Sequence, residues 1–249
     1  MKLVRQVRRV VGTASIAAEM AGRLAFLRAL EDAPDLRSRA TVLQQISRLL
    51  LDLHAVKLEE EGHPPPGVAL IVSNHVSYLD PLVILARAPA LPVAKEEVRR
   101  WPLIGTLCER GGVQFVARSH STSGACVLRA MARAMREGAS ILNFPEGTTS
   151  EGERVLPLKP ACFSAARIAR VPVVPVAIRW QSPGLSWTGD ASFLPHYLAV
   201  AGRDRIRVRL RWGAELVPSA WTSDLELSHR AHEFLTRCLE APDAAAERA

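Results

Sequence analysis

An imidazole and a carboxylate stand on either side of a turn in the run Asn74-His75-Val76-Ser77-Tyr78-Leu79-Asp80. Such a turn can bring the Asp80 carboxylate to one ring nitrogen of His75. The acid then fixes the tautomer and stabilises the imidazolium, and the other nitrogen is left to take a proton from a hydroxyl. The same spacing also allows a plainer arrangement, in which His75 bonds a backbone carbonyl and Asp80 only caps a helix. A second run, Phe144-Pro145-Glu146-Gly147-Thr148-Thr149-Ser150, lies further along the chain. Its glycine lets backbone approach a ligand, and its carboxylate can accept from substrate hydroxyls. A simple turn is the alternative there.

Both runs need elements to hold them. Val68 to Ser73 is a continuous apolar stretch of strand length, as in a strand buried on both faces of a parallel sheet, and it leads straight into Asn74-His75. Asp80-Pro81 reads as an N-cap followed by proline at the first helical position, opening a helix to Arg87. Ser140 to Phe144 reads as the strand that delivers Glu146. The pattern further predicts helices over 41–56, 123–137, 160–170 and 224–239, and strands over 57–62, 113–116 and 171–178. Strands thus alternate with helices, the pattern of an α/β sheet. Ile206, Val208, Leu210 and Trp212 alternate with Arg205, Arg207, Arg209 and Arg211, which predicts a strand with one apolar and one arginine face. A solvated edge strand is the simpler reading of it, ahead of an anion-binding surface.

Composition limits the partners. The chain has 249 residues, 48% of them hydrophobic, and a formal charge of +7, so it folds and favours an anionic partner: nucleic acid, an acidic bilayer or a phosphorylated substrate. Helix-turn-helix, zinc-finger and aromatic ribonucleoprotein signatures are missing, which argues against nucleic acid. The four cysteines, Cys108, Cys126, Cys162 and Cys238, form no C-x-x-C pair, and no G-x-S-x-G elbow supplies a serine nucleophile. His229, His232 and Glu233 sit at helical spacing but read as solvated helix residues, so no metal is expected.

Residues 1–30 carry Lys2, Arg5, Arg8, Arg9, Arg23 and Arg28 against the one acid Glu19, with Val10, Val11, Ile16, Met20, Leu24 and Leu27 between them. That is a basic amphipathic helix, which either lies on a membrane or packs on the domain. Each basic side chain near an anionic leaflet contributes about 1 kcal/mol. No stretch approaches the length of a spanning helix, and the first apolar run ends at Glu19 without a cleavage pattern, so a peripheral protein that lies on a membrane is expected, on the reducing, cytoplasmic face that the unpaired cysteines fit.

In order and spacing these blocks resemble the glycerolipid acyltransferase family. His75 and Asp80 match its catalytic pair, and Phe115-Val116-Ala117-Arg118 matches its arginine block. Glu146-Gly147 matches its acceptor block and Val171-Pro172-Val173-Val174-Pro175 its proline block, while Lys95, Gly105, Lys159 and Pro160 fall where the family commonly has equivalents. The resemblance implies a mixed, largely parallel α/β sheet flanked by helices. It runs from about Lys57 to Trp212, and with the residue pattern on either side the chain reads as an N-terminal helical, membrane-contacting segment (1–56), a catalytic domain (57–240) and a frayed tail (241–249). It further implies that His75 activates a lysolipid hydroxyl, which attacks the thioester of acyl-CoA or acyl-carrier protein with no cofactor. Asn74, Lys95, Arg118, Glu146, Gly147 and Thr148 would contact substrate. Many phosphatidate-forming members follow E-G with Thr-Arg, whereas Thr149 follows Thr148 here. With Trp187-Thr188-Gly189-Asp190 and Phe193-Leu194-Pro195-His196, this looks like a bacterial subgroup that includes lyso-ornithine lipid acyltransferases. The resemblance puts 1-acyl-glycerol-3-phosphate first as acceptor, with lyso-ornithine lipid or another lysophospholipid, or CoA-independent transacylation, as alternatives.

Overall fold

The computed structural model describes residues 1–29, 35–100, 104–116, 121–189 and 191–241. Two helices come first, α1 (Lys2–Ala29) and α2 (Leu36–Leu53), followed by β1 (Val56–Glu61), β2 (Leu70–Ser73), α3 (Asp80–Arg87) and β3 (Ala90–Lys95). The middle of the chain forms α4 (Ile104–Arg110), β4 (Gln114–Val116), α5 (Ser121–Arg136), β5 (Ser140–Asn143) and α6 (Phe163–Ala169). It ends with β6 (Val173–Trp180), α7 (Phe193–Ala201), β7 (Ile206–Trp212) and α8 (Asp224–Glu240). The seven strands make one sheet in the order β1-β7-β6-β2-β5-β3-β4. Every neighbouring pair is parallel except β6 and β7, so the sheet is mixed and largely parallel, as expected.

The apolar run before His75 behaves as its composition demands. All four residues of β2 are buried, with β5 on one side and β6 on the other. Ile71, Ile141 and Val174 share one apolar cluster that also takes in Phe163 of α6 and Leu235 of α8. Ala40, Leu43, Ile46 and Leu51 of α2 belong to the same cluster, so the second helix is part of the core that supports the sheet.

The arginine face of β7 has a different setting from the one predicted. The strand is interior, parallel to β1 and antiparallel to β6. Arg209, only 6% exposed, donates to Glu59 at 2.7 Å, and Arg211 donates to Glu61 at 2.7 Å. The register sets Glu59 opposite Arg209 and Glu61 opposite Arg211, so opposite charges on neighbouring strands neutralise a face that looked solvated. The edge is β1.

Among the described residues, no helix is long and apolar enough to cross a membrane. The amino-terminal half of α1 packs on the protein. Arg9 is 1% exposed and donates to the carbonyls of Leu53, Ala201 and Arg203. Arg5 donates to Gly202 O and pairs with Asp204. These cations sit at the carboxyl end of α7, where unpaired carbonyls and the helix dipole favour positive charge. The opposite side of α1 is apolar and uncovered, with Leu3, Val4, Val7 and Val11 each more than half exposed. The side chains of Arg23 and Arg28, and the tail beyond residue 241, lie outside the described residues.

Candidate active site

β5, β2 and β6 are adjacent and parallel, and their carboxyl ends deliver the candidate residues to one place. β2 ends at Ser73 and hands over to Asn74-His75, β5 ends at Asn143 and hands over to Phe144-Pro145-Glu146, and β6 ends at Trp180. Carboxyl ends of parallel strands are where α/β sheets present reactive groups.

His75 and Asp80 meet. The ring Nδ1 donates to Asp80 Oδ2 at 2.8 Å, and the same oxygen accepts the backbone N–H groups of Val76 at 2.6 Å and Ser77 at 2.8 Å. Oδ1 accepts the indole N–H of Trp180 at 2.8 Å. Asp80 is fully buried, so these donors replace the water its charge has lost. The N-cap prediction for Asp80 does not hold: Leu79 takes that position, and the carboxylate turns back onto the preceding loop to gather its N–H groups. What looked like a cap is the centre that shapes the turn carrying His75.

The imidazole lies against Phe144, ring centroids 4.1 Å apart and planes 20° from parallel. Its side chain is 20% exposed, and Nε2 has no hydrogen-bond partner among the described residues. The ring is therefore tied at one nitrogen, supported on one face and open at the other nitrogen. The backbone around it is held as well. His75 N–H donates to Glu146 Oε1 at 3.3 Å, His75 O accepts from Ser150 N at 2.8 Å, and Val76 O accepts from Trp187 N at 2.9 Å.

Glu146 is buried, and its Oε2 has no partner among the described residues. Burial pushes its carboxyl up to about 8; the His75 N–H pulls the other way, and the nearby Asp80 adds to the rise. Around neutral pH the group is largely protonated, and Oε2 can carry the proton toward an incoming oxygen. Gly147 takes φ of +73°, which L side chains rarely adopt. A Cβ there would stand 2.6 Å from the ammonium of Lys159, so glycine is what lets this cation close over the turn.

The remaining predicted contacts divide. Thr148 is exposed on the same loop as Glu146. Lys95 closes β3 at its exposed carboxyl end, two strands removed from β2. Arg118 lies outside the described residues. Asn74, expected to contact substrate, faces the sheet instead. Its amide donates to Ile178 O and accepts from Ile178 N, both at 2.9 Å, so the side chain extends β2 along β6 by one more rung. It is 1% exposed, which makes it a support for the turn.

Sequence reasoning missed Trp180, which carries no local signal and reaches Asp80 from a strand a hundred residues on. Around Tyr78, an aromatic group of Trp187, Phe193 and His196 packs edge to face, and His196 Nδ1 lies 3.1 Å from the Tyr78 hydroxyl. Burial raises the Cys108 thiol to about 11 and the Cys162 thiol to about 12, so neither is a thiolate at neutral pH. No three His, Cys, Asp or Glu side chains among the described residues gather as metal ligands would.

A buried carboxylate bonded to a reachable imidazole, at the carboxyl ends of the central strands of a mixed α/β sheet, is the arrangement of a group-transfer enzyme of the acyltransferase class. The chain belongs to the acyltransferase family, whose profile matches residues 55–179. It is 34% identical over 77% of its length to a lyso-ornithine lipid O-acyltransferase of Brucella abortus, covering 79% of that protein. It is 30% identical over 96% of its length to the Pseudomonas aeruginosa protein of the same name, covering 94% of it. A 1-acyl-sn-glycerol-3-phosphate acyltransferase of Neisseria meningitidis is 31% identical over 67% of this chain and 64% of its own. The crystal structure of the 1-acyl-sn-glycerophosphate acyltransferase of Thermotoga maritima superposes with a TM-score of 0.68, at 23% identity, over 96% of this chain and 97% of that one. That last likeness establishes the shared fold.

Proposed function

We propose that this enzyme transfers a fatty acyl group from a thioester, acyl-CoA or acyl-carrier protein, to the free hydroxyl of a lysolipid at an anionic membrane surface on its cytoplasmic side. The observation that carries the reading is the His75–Asp80 pair, with Nδ1 engaged at 2.8 Å and Nε2 open. In the reaction Nε2 takes the hydroxyl proton as the lipid oxygen forms a bond to the thioester carbonyl carbon. The carbon–sulfur bond then breaks, and the imidazolium returns the proton to the departing thiolate. Asp80 stays ionised and stabilises the transient imidazolium. The protonated Glu146 and the Gly147 turn position the acceptor, with Lys159 over that turn, and the family resemblance adds Lys95 and Arg118 as partners of an anionic head group.

Lyso-ornithine lipid is the acceptor the observations favour. It is the substrate in the printed names of two relatives that cover most of this chain, and Thr149 stands where many phosphatidate-forming members have arginine. Lysophosphatidate is the second reading, supported by the Neisseria relative.

The test offers purified enzyme both lysolipids, each with labelled acyl-CoA or acyl-carrier protein. Faster acylation of lyso-ornithine lipid is expected. Faster acylation of lysophosphatidate reverses the acceptor order, turnover without any thioester makes the enzyme a transacylase, and no product from either lysolipid with either donor ends the proposal.

A further inference from the structure

Trp180 stands one residue beyond the stretch that matches the family, yet its side chain reaches the centre of the site. We infer that Trp180 is a positioning residue of the reaction: its indole N–H, held on Asp80 Oδ1, fixes both the orientation and the basicity of the carboxylate that steers His75. This rests on the acyl-transfer reading for its kinetic consequence, though not for its structural one.

Orientation comes from the division of donors. His75 Nδ1, Val76 N and Ser77 N all converge on Oδ2, and among the described residues Oδ1 accepts from Trp180 alone. Turning about the Cβ–Cγ bond would carry both oxygens off their donors. A donor fixed on the second oxygen sets the plane and keeps Oδ2 aimed at the ring.

Trp180 is fit for that task because elements outside the turn it serves also anchor it. Its backbone pairs with Val208 of β7, and its ring packs against the small apolar cluster of Leu79, Leu185, Val200 and Ile206.

Basicity follows from charge. A hydrogen bond to the ionised carboxylate favours that form and spreads its charge. Removing it concentrates the charge on Oδ2, which then attracts the imidazolium more tightly. Glu146, from the loop after β5, is the other acid facing this pair, and His196 of α7 faces the same turn through Tyr78. Neither contacts the indole nitrogen, whose partner is Asp80. A half-buried tryptophan that merely found an acceptor would explain the contact but not a dependence of catalysis on it.

The experiment has two arms. Trp180→Phe keeps the ring packing and deletes the N–H. The kcat for acyl transfer is expected to fall about tenfold, the effect of one hydrogen bond to a charged group, with acceptor KM nearly unchanged. The acid limb of the pH–rate profile is expected to move to higher pH. A variant that loses only thermal stability, with kcat and profile unmoved, overturns the inference. The second arm needs neither turnover nor a folded Trp180 variant. In the wild-type protein, one of the five indole N–H signals in a nitrogen-15 NMR titration is expected to follow the ionisation of His75, and to stop doing so in His75→Ala. If no indole signal depends on His75, the coupling does not exist, whatever the enzyme proves to acylate.

Discussion

The imidazole of His75 lies nearly flat on the ring of Phe144, at 4.1 Å between centroids and 20° between planes. Phe144 is the first residue after β5, and its neighbour but one, Glu146, holds the His75 backbone N–H, so one loop supports the histidine from both ring and backbone. Replacing Phe144 with leucine keeps an apolar contact but removes the flat surface. Aromatic contacts of this kind are worth about 0.5–1.5 kcal/mol, so kcat should fall about three- to tenfold with little change in acceptor KM. Steady-state kinetics checked against thermal unfolding will separate this from a general loss of stability. A variant with unchanged kcat would show that Asp80 alone orients the ring.

His75 and Asp80 should fail in different ways when replaced. His75 is partly exposed, and its ring meets Asp80 and the face of Phe144 without filling a core position, so His75→Ala should lower kcat by about 10²- to 10⁴-fold with a near-native melting temperature. Asp80 is fully buried and accepts from Val76 N and Ser77 N as well as from the ring. In Asp80→Ala those N–H groups and the Trp180 indole lose their acceptor, at about 1–3 kcal/mol for each group left buried and unpaired. Kinetics and denaturant unfolding of both variants will show whether the acid is structural and catalytic while the base is catalytic only. Equal stability in the two would contradict the account of the turn.

Glu146 should make stability fall as pH rises. Its folded carboxyl is raised to about 8 by burial, above the ordinary 4.5. Between those values the folded state holds a proton that the unfolded state has released, so folding is favoured at the acid end, and that contribution is lost as pH passes through about 8. Thermal unfolding from pH 5 to 9 should therefore show a decline that Glu146→Gln flattens. Because Gln keeps an oxygen for the His75 N–H but changes the group at the buried Oε2 position, its activity should suffer mainly in acceptor KM. A decline that persists in Glu146→Gln would place the titration elsewhere.

What the sequence made legible follows from range. β2 was readable because a strand buried on both faces is apolar at every position, and the pairing of His75 with Asp80 was readable because both lie in one turn. β3 and α7 went unread because each contains a proline. Pro92 stands where β3 changes partner from β5 to β4, and Pro195 falls in the first turn of α7, where an N–H is not needed. The edge assignment for β7 failed for a related reason. Its arginines do alternate, but Glu59 and Glu61, which pair with them, lie about 150 residues earlier, and nothing local announces the match. Asn74 and Trp180 show the same limit inside the site: Asn74 sits in the motif but faces Ile178, while Trp180 sits outside it and faces Asp80.

The two sides of α1 should prove separable. Arg9 is buried and holds three carbonyls, so Arg9→Met should destabilise the protein by about 2 kcal/mol or more as those acceptors lose their donor, whereas the exposed Arg8→Ala should change stability by less than about 0.5 kcal/mol. The uncovered face is the opposite case. Val7 and Val11 are 55% and 58% exposed, one turn apart, and fill no core position. Val7→Asp with Val11→Asp should leave the melting temperature nearly unchanged, yet it should sharply reduce co-sedimentation with vesicles containing anionic lipid, because apolar insertion and cationic attraction act on the same helix. Urea unfolding measures the first side and vesicle sedimentation the second. If the double valine variant still sediments like wild type, the apolar stripe is not what meets the membrane, and attraction by Lys2, Arg8 and their neighbours must suffice without it.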